Sequence, residues 1–447
     1  MDNLINFIET AIQEGKFAKI REEIIQLNVV DIAQLLDDLE GEKTLIIFRL
    51  LPKEISVEVF SYISSDQQQF IIESITDKEI KHILDNLFMD DTVDILEEMP
   101  ANVVKKVLKN AGEDKRKLIN QFLQYPEDSA GSLMTIEYVD LKKEMTVKQA
   151  IERIQRIGVD KETIDICYVM NNYRKLEGII HLRTLILNDA DVAVADIMDT
   201  NFISCDTHMD QEEIGNLFRK YGLLAMPVVD QDDRLVGIIT VDDIIHMIEQ
   251  ENTEDFQVMA AMEPSETEYL KTSVGTLAKN RVVWLLILMI SATFTGGIIK
   301  KYEDILASVV ILASYIPMLM DSAGNAGSQS STMIIRGLAL GEIQLKDLAK
   351  VVWKEFRIGI IIGITMAVVN IARIYIFDGV GIWIGLTVSI SLFITIVLAK
   401  IVGGSLPMIA KKLRLDPAIM ASPMITTIVD AVALLVYFQL AAALLGI

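Results

Sequence analysis

Two acids stand where a long apolar stretch would otherwise continue: Asp321 and Asp430. Burying an ionised carboxylate in hydrocarbon is costly, so an acid at such a position marks function unless something neutralises it. The polar residues around them are spaced to match. Asp321, Asn325, Ser328 and Thr332 fall at i, i+4, i+7 and i+11, and Ser422, Thr426 and Asp430 at i, i+4 and i+8. Each set occupies one face if its segment is helical. Two such faces are expected to meet each other or a water-filled path. Packing glue between helices also uses hydroxyls and amides, but it explains Asp430 poorly. No base is expected at that depth, and a permeating cation supplies the missing counter-charge. Few carboxylates among many neutral oxygens suit a hard ion that keeps its water, as Mg2+ does. A two-fold dimer would double the set. Ca2+, Mn2+ and Na+ fit the same donors.

These residues need membrane helices to position them. Val282–Ile299 carries no charge, Ile305–Ile335 carries only Asp321, Ile358–Phe377 only Arg373, Gly379–Ala399 none, and Pro417–Ile447 only Asp430. About 20 apolar residues cross the hydrocarbon, so five spans are predicted, with Arg373 snorkelling to the headgroups. The second span runs long and is expected to break at Pro317, Gly324 and Gly327. Its Ser322–Gly327 stretch would give either close helix contact or an unwound turn exposing carbonyls. Lys279 and Arg281, then Arg336, Lys346, Lys350, Lys354 and Arg357, then Lys411, Lys412 and Arg414 flank the spans on one side. That side is cytoplasmic by the positive-inside rule, which places the C-terminus outside. No Gly-Lys-Ser/Thr follows the glycines and no Walker motif occurs elsewhere, so ATP-driven pumping is not expected.

The remaining chain has the opposite character. Residues 1–277 hold 54 acids against 27 bases, whereas the whole protein carries −22. Such acidity repels phosphates and argues against nucleic acid. Cys167 and Cys205 make neither a disulfide framework nor a zinc pattern, and the N-terminus lacks the basic and apolar regions of a signal peptide. A 24-residue offset relates Leu35, Val59 and Ile83, and likewise Leu36, Phe60 and Leu84, and Leu39, Ile63 and Leu87. It also relates Ile47, Ile71 and Ile95, then Phe48, Ile72 and Leu96, then Leu51, Ile75 and Met99. Two short amphipathic helices per unit, stacked as a superhelix, are predicted. In the third unit Asp90, Asp91 and Asp94 gather at a helix start, where they serve either the helix dipole or a metal. A second duplication relates Tyr168–Ile180 to Pro227–Ile239 and predicts tandem βαββα modules. A polar helix with Glu249, Glu251, Glu254 and Asp255 follows, as a connector would.

The pieces Tyr125–Met134, the tandem modules, Thr253–Asp255, Arg281–Trp284, Gly324–Ser330, Leu415–Ala418 and Thr426–Asp430 combine into one pattern. With them the chain resembles the MgtE family of magnesium transporters over nearly its whole length, the modules being of the cystathionine β-synthase (CBS) type. The resemblance implies a homodimer in the cell (inner) membrane, with a Mg2+ pore lined by the second and fifth spans and closed by cytoplasmic Mg2+. The chemistry would be transport, not enzyme catalysis. The pore set would be Asp430, Asn325, Thr426 and Asp321. The regulatory set would be Asp90, Asp94, Asp210, Asp243, Glu254, Asp255 and Asp416. Expected domains are a helical N domain (1–130), CBS repeats (131–195 and 196–248), a connecting plug helix (249–277) and a transmembrane pore domain (278–447). The fold class is thus an α-helical membrane protein with an all-α superhelical N domain and α/β tandem CBS domains.

There are departures from the family. Asp321 stands where Gly is frequent and Ser328 where a second Asn is, while Gly222 and His246 replace acids, so one cytoplasmic Mg2+ site is expected to be missing. CBS repeats also take ATP or another adenine nucleotide. Pro227, Thr240 and Asp243 fit that use, whereas Gly178–Thr184 lacks the matching Thr and Asp, leaving one site per chain at most. The rival readings are a cation exchanger of the same fold and a CBS sensor that transports nothing.

Overall fold

The computed structural model describes residues 2–39, 41–265, 269–270 and 272–446. The chain divides into two units, residues 1–246 and 247–447.

Among the described residues the first unit opens with ten short helices: α1 (Asp2–Gln13), α2 (Phe17–Ile24), α3 (Val29–Asp37), α4 (Glu42–Leu50), α5 (Lys53–Tyr62), α6 (Ser65–Ser74), α7 (Asp77–Asn86), α8 (Met89–Glu98), α9 (Ala101–Asn110) and α10 (Glu113–Phe122). All eighteen positions of the 24-residue repeat are buried, as a superhelix with one continuous core requires. Long basic side chains close the helix ends. Lys106 Nζ donates to Ile72 O at 2.7 Å, and Lys115 Nζ to Leu87 O at 2.7 Å and to Leu84 O, meeting carbonyls that have no partner within their own helices.

Two α/β modules follow. The first runs through α11 (Ala130–Leu133), β1 (Val139–Leu141), α12 (Val147–Ile157), β2 (Ile166–Met170), β3 (Leu176–His181) and α13 (Leu182–Leu187). The second runs through α14 (Val194–Ile197), β4 (Cys205–Asp206), α15 (Gln211–Tyr221), β5 (Ala225–Val229), β6 (Leu235–Thr240) and α16 (Val241–Met259). Each sheet pairs its first two strands parallel and its last two antiparallel. The modules also exchange backbone: Thr135 bridges Ile238 of the second sheet, and Asp199 bridges Ile179 of the first. Gly237 permits this approach, because a Cβ there would fall 2.8 Å from Thr135 O.

The second unit contains α17 (Val274–Lys301), α18 (Glu303–Ser308), α19 (Ile316–Ala339), α20 (Leu348–Arg373), α21 (Ile382–Lys412) and α22 (Ser422–Leu445). Among the described residues four segments are long and apolar enough to cross a membrane: α17, the segment around α20, α21 and α22. Helix α19 falls short of that hydropathy because it carries the polar face. Its predicted breaks do not occur. Pro317 sits in its first turn, where a missing N–H costs nothing, and the helix runs unbroken through Gly324 and Gly327. The fourth apolar run is likewise longer than its charge-free part, so Lys400 lies well inside α21. The polar connector forms the helix α16, which starts at Val241 directly after β6 and ends at Met259. Residues 266–268 and 271 of the expected 249–277 connector lie outside the described residues. The core of this unit joins α19, α21 and α22 through Leu319, Ala323, Leu392, Ile396, Val429 and Leu434. Tyr437 Oη donates to Leu312 O at 2.9 Å within it.

Candidate functional site

In the second unit small residues let α19 and α22 approach closely. A Cβ on Gly324 would fall 2.9 Å from Thr426 Cγ2, and one on Gly327 would fall 2.7 Å from Ile425 Cγ2. The glycines of this stretch therefore serve helix contact, not an unwound turn. The two polar faces touch at Ser328 and Ser422, whose Oγ atoms are 3.0 Å apart, while Asp321, Asn325 and Thr332 are exposed. Thr426 Oγ1 donates to Pro423 O at 2.9 Å, which leaves its oxygen lone pairs as acceptors. Asp430 is half-buried. The charges of Asp430 and Asp321 lie close enough to interact. Among the described residues Asp430 has no ion pair or hydrogen-bonding base.

Two bases inside the membrane helices, Lys400 and Arg373, are engaged elsewhere. Lys400 is 4 % exposed and donates to Gln329 Oε1 at 3.0 Å. Arg373 does not simply reach for headgroups: it pairs with Asp378 at 3.5 Å, donates to Asn370 Oδ1 and lies over the Tyr315 ring. Lys350, Lys354 and Arg357, expected in a connection, lie on the first turns of α20. In the sequence Lys400 closes a charge-free run and Glu355 lies between Lys354 and Arg357, so each reads as a residue at the end of a span.

The first unit gathers a larger group of acids. Asp90 and Asp91 lie in the first turn of α8 and Asp94 one turn on. Packing of the superhelix against the α/β modules brings them to Asp243, at the start of α16, and to Glu162, after α12. Burial, followed by the charge of Asp243, pushes Asp94 up to about 8, Asp91 up to about 7 and Glu162 up to about 8. The same causes hold Asp90 well above the ordinary carboxylate range. Asp243 is itself raised by burial, although Thr240 Oγ1 donates to its Oδ2 at 2.7 Å and opposes the shift. Lys115 lies near this group with its ammonium bonded to carbonyls. Such a group cannot be fully ionised near neutrality without a cation among its oxygens. Among the described residues no three His, Cys, Asp or Glu side chains close around a single ion position. Glu162 was absent from the sequence-based set because only the tertiary fold brings the end of α12 to α8.

Asp210 does not join that group. It caps α15, its Oδ1 accepting from Glu212 N at 2.9 Å, and its acidic neighbour is Asp128. Asp255 and Asp416 form a third pair in the second unit. Burial, then Asp416, Glu251 and Glu254, raise Asp255 to about 6, and Asp416 accepts from Ala418 N at 2.7 Å. The nucleotide candidates Pro227, Thr240 and Asp243 lie together on β5, β6 and the first turn of α16. Asp243 is thus shared between the nucleotide candidates and the acidic group.

Comparison with known proteins separates class from family. A family model described as a divalent cation transporter matches residues 316–440, one for the MgtE intracellular N domain matches 27–128, and one for the CBS domain matches 194–250. The class is therefore that of membrane transporters for divalent cations that carry their own cytosolic modules. A magnesium transporter MgtE of Thermus thermophilus is 34 % identical over 443 residues, covering 98 % of both chains. One of Bacillus subtilis is 33 % identical over 442 residues, covering 99 % of this chain and 97 % of its own. The crystal structure of the cytosolic domain of the Mg2+ channel MgtE in complex with ATP shares 34 % identity at a TM-score of 0.51. It covers 54 % of this chain and 98 % of that one. The chain belongs to the MgtE family.

Proposed function

We propose that this protein is a Mg2+-selective, channel-like transporter, driven by the membrane potential and closed from the cytoplasm by Mg2+. The observation that carries the reading is Asp430, a half-buried carboxylate on a membrane helix whose charged neighbour is another acid. An anion so placed is stabilised by a cation that comes and goes. The potential contributes about 2.3 kcal/mol per charge per 100 mV, so entry of a divalent ion needs no fuel. The relatives' role as magnesium transporters supports Mg2+ as the ion, passing Asp321, Asn325, Thr426 and Asp430.

The homodimer follows from the same surface. Asp321, Asn325, Gln329 and Thr332 are all exposed on α19, and such a face is unfavourable against lipid. A second copy would cover it and enclose the path, with α19 as the fifth membrane helix. Basic flanks place the N-terminal domains in the cytoplasm and the C-terminus outside. We retain the domain limits 1–130, 131–195, 196–248, 249–277 and 278–447 for the N domain, the two CBS repeats, the connector and the pore. Regulatory Mg2+ would bind Asp90, Asp94 and Asp243, now with Asp91 and Glu162; Asp210 with Asp128; and Asp255 and Asp416 with Glu254. An adenine nucleotide at Pro227, Thr240 and Asp243 is the second ligand of the CBS repeats. The protein acts by conduction and not as an enzyme.

Flux and current in proteoliposomes test the reading. Wild-type protein is expected to pass Mg2+ with measurable single-channel currents, and Asp430→Ala to lose at least about tenfold of the flux while still assembling. Normal flux through a well-assembled Asp430→Ala variant rejects the pore role. Ion exchange without current rejects the channel in favour of an exchanger.

A further inference from the structure

Glu355 and Lys400 have no task in this reading, yet both are buried in the membrane unit, at 8 % and 4 % exposure. Their charges interact, but each bonds into α19. Ser330 Oγ donates to Glu355 Oε2 at 2.6 Å, and Lys400 Nζ donates to Gln329 Oε1 at 3.0 Å. The second bond decides which way the Gln329 amide is turned. An ammonium donates only, so it must meet the carbonyl oxygen and not the NH2 group. The NH2 group is then the outward end, without a bond to any described residue. Gln329 is exposed and continues the Asp321 and Asn325 face at the next turn. A hydrated Mg2+ presents the hydrogens of its water, so groups that hold it must be acceptors. Asp321, Asn325 and Asp430 offer acceptors. Gln329, with one lone pair of its oxygen taken by an ammonium, is a weakened acceptor and offers its NH2 as donor.

We propose that Lys400 is a positioning residue for permeation: by bonding the Gln329 oxygen it fixes the amide and weakens an acceptor on the α19 face one turn beyond Asn325. That turn becomes a weak step for a hydrated divalent cation. A path that binds well enough to admit an ion must still let it leave, and a pinned donor one turn from the acceptors serves release. Glu355 supplies the counter-charge that a buried ammonium requires. The inference rests on the permeation reading given above.

The test is Mg2+ uptake by proteoliposomes as a function of external Mg2+. Lys400→Met frees the Gln329 oxygen, and the half-saturating concentration is expected to fall about fivefold, the size of one net hydrogen bond. Lys400→Arg keeps charge and donor and is expected to stay within about twofold of wild type. Adding Gln329→Leu to Lys400→Met removes the freed acceptor and is expected to bring half-saturation back to within about twofold. Lys400→Met leaves Glu355 without its counter-charge, so Lys400→Met with Glu355→Gln is measured beside it and carries the comparison if the single variant does not assemble. Unchanged half-saturation in whichever of these assembles overturns the proposal. So does a shift that persists when Gln329→Leu is added, because the effect then does not pass through that amide. Wild-type vesicles without any uptake would instead overturn the transport reading itself.

Discussion

In the first unit Asp91, Asp94, Glu162 and Asp243 gather around the buried Asp90, and desolvation, then mutual repulsion, raises their affinity for protons. In the second unit Asp430 is half-buried, Asp321 is exposed, and Lys400 and Arg373 are spent on Gln329 and Asp378. The difference separates holding from passing. A crowded carboxylate group stores repulsion that only a proton or a cation relieves, so occupancy by a divalent ion and stability of that packing rise together. A sparse set of acceptors on membrane helices stores less and releases its ion more readily. One chain thus offers two kinds of acidic environment, one suited to sensing and the other to conduction.

The comparison breaks most visibly if the crowded acids do not control the sparse ones. Asp243→Asn combined with Glu254→Gln is expected to leave flux high at elevated internal Mg2+, at least about tenfold above wild type under the same conditions. Unchanged closure, measured by vesicle flux at two internal Mg2+ levels, would remove the sensor role from these acids.

A smaller effect sharpens the same contrast through pH. Asp91, Asp94 and Glu162 bind protons more tightly in the folded protein than in the unfolded chain. Their stabilising contribution is therefore complete at low pH and is lost as pH rises toward the folded values of about 7 and about 8. In chelator, the thermal midpoint of the cytosolic transition is expected to fall by about 3 °C or more between about pH 5 and about pH 8. Mg2+ should flatten that slope. A midpoint that rises with pH in chelator contradicts the crowded-acid account.

The smallest effect belongs to Asp321. It is exposed in the single chain whereas Asp430 is half-buried, so Asp321→Gly is expected to raise the half-saturating Mg2+ by only about twofold to threefold. A loss as large as that for Asp430 would show that both acids belong to one binding step.

Much of the fold was legible in local pattern. The 24-residue repeat placed its apolar positions in the core, and the duplicated strand–turn–strand stretches became matching three-stranded sheets. Periodicity reports such features because the period of an element and the burial of one face are local properties. The helix faces carrying Asp321, Asn325, Thr426 and Asp430 were legible for the same reason. The continuity of α19 was not: Gly324 and Gly327 read equally well as a break or as a contact, and only the packing of α22 against them decides for contact.

Sequence by itself determined the membrane and acidic halves, the repeats, the modules and the faces on which the acids lie, because charge, hydropathy and helical period are written residue by residue. Tertiary structure alone decided which acids share a site. It set Glu162 and Asp243 beside α8, gave Asp210 to Asp128 instead, and turned Lys400 to Gln329 and away from Asp430. Those choices depend on contacts between residues tens to hundreds of positions apart, where the energy comes from burial and mutual charge and leaves no mark on local spacing.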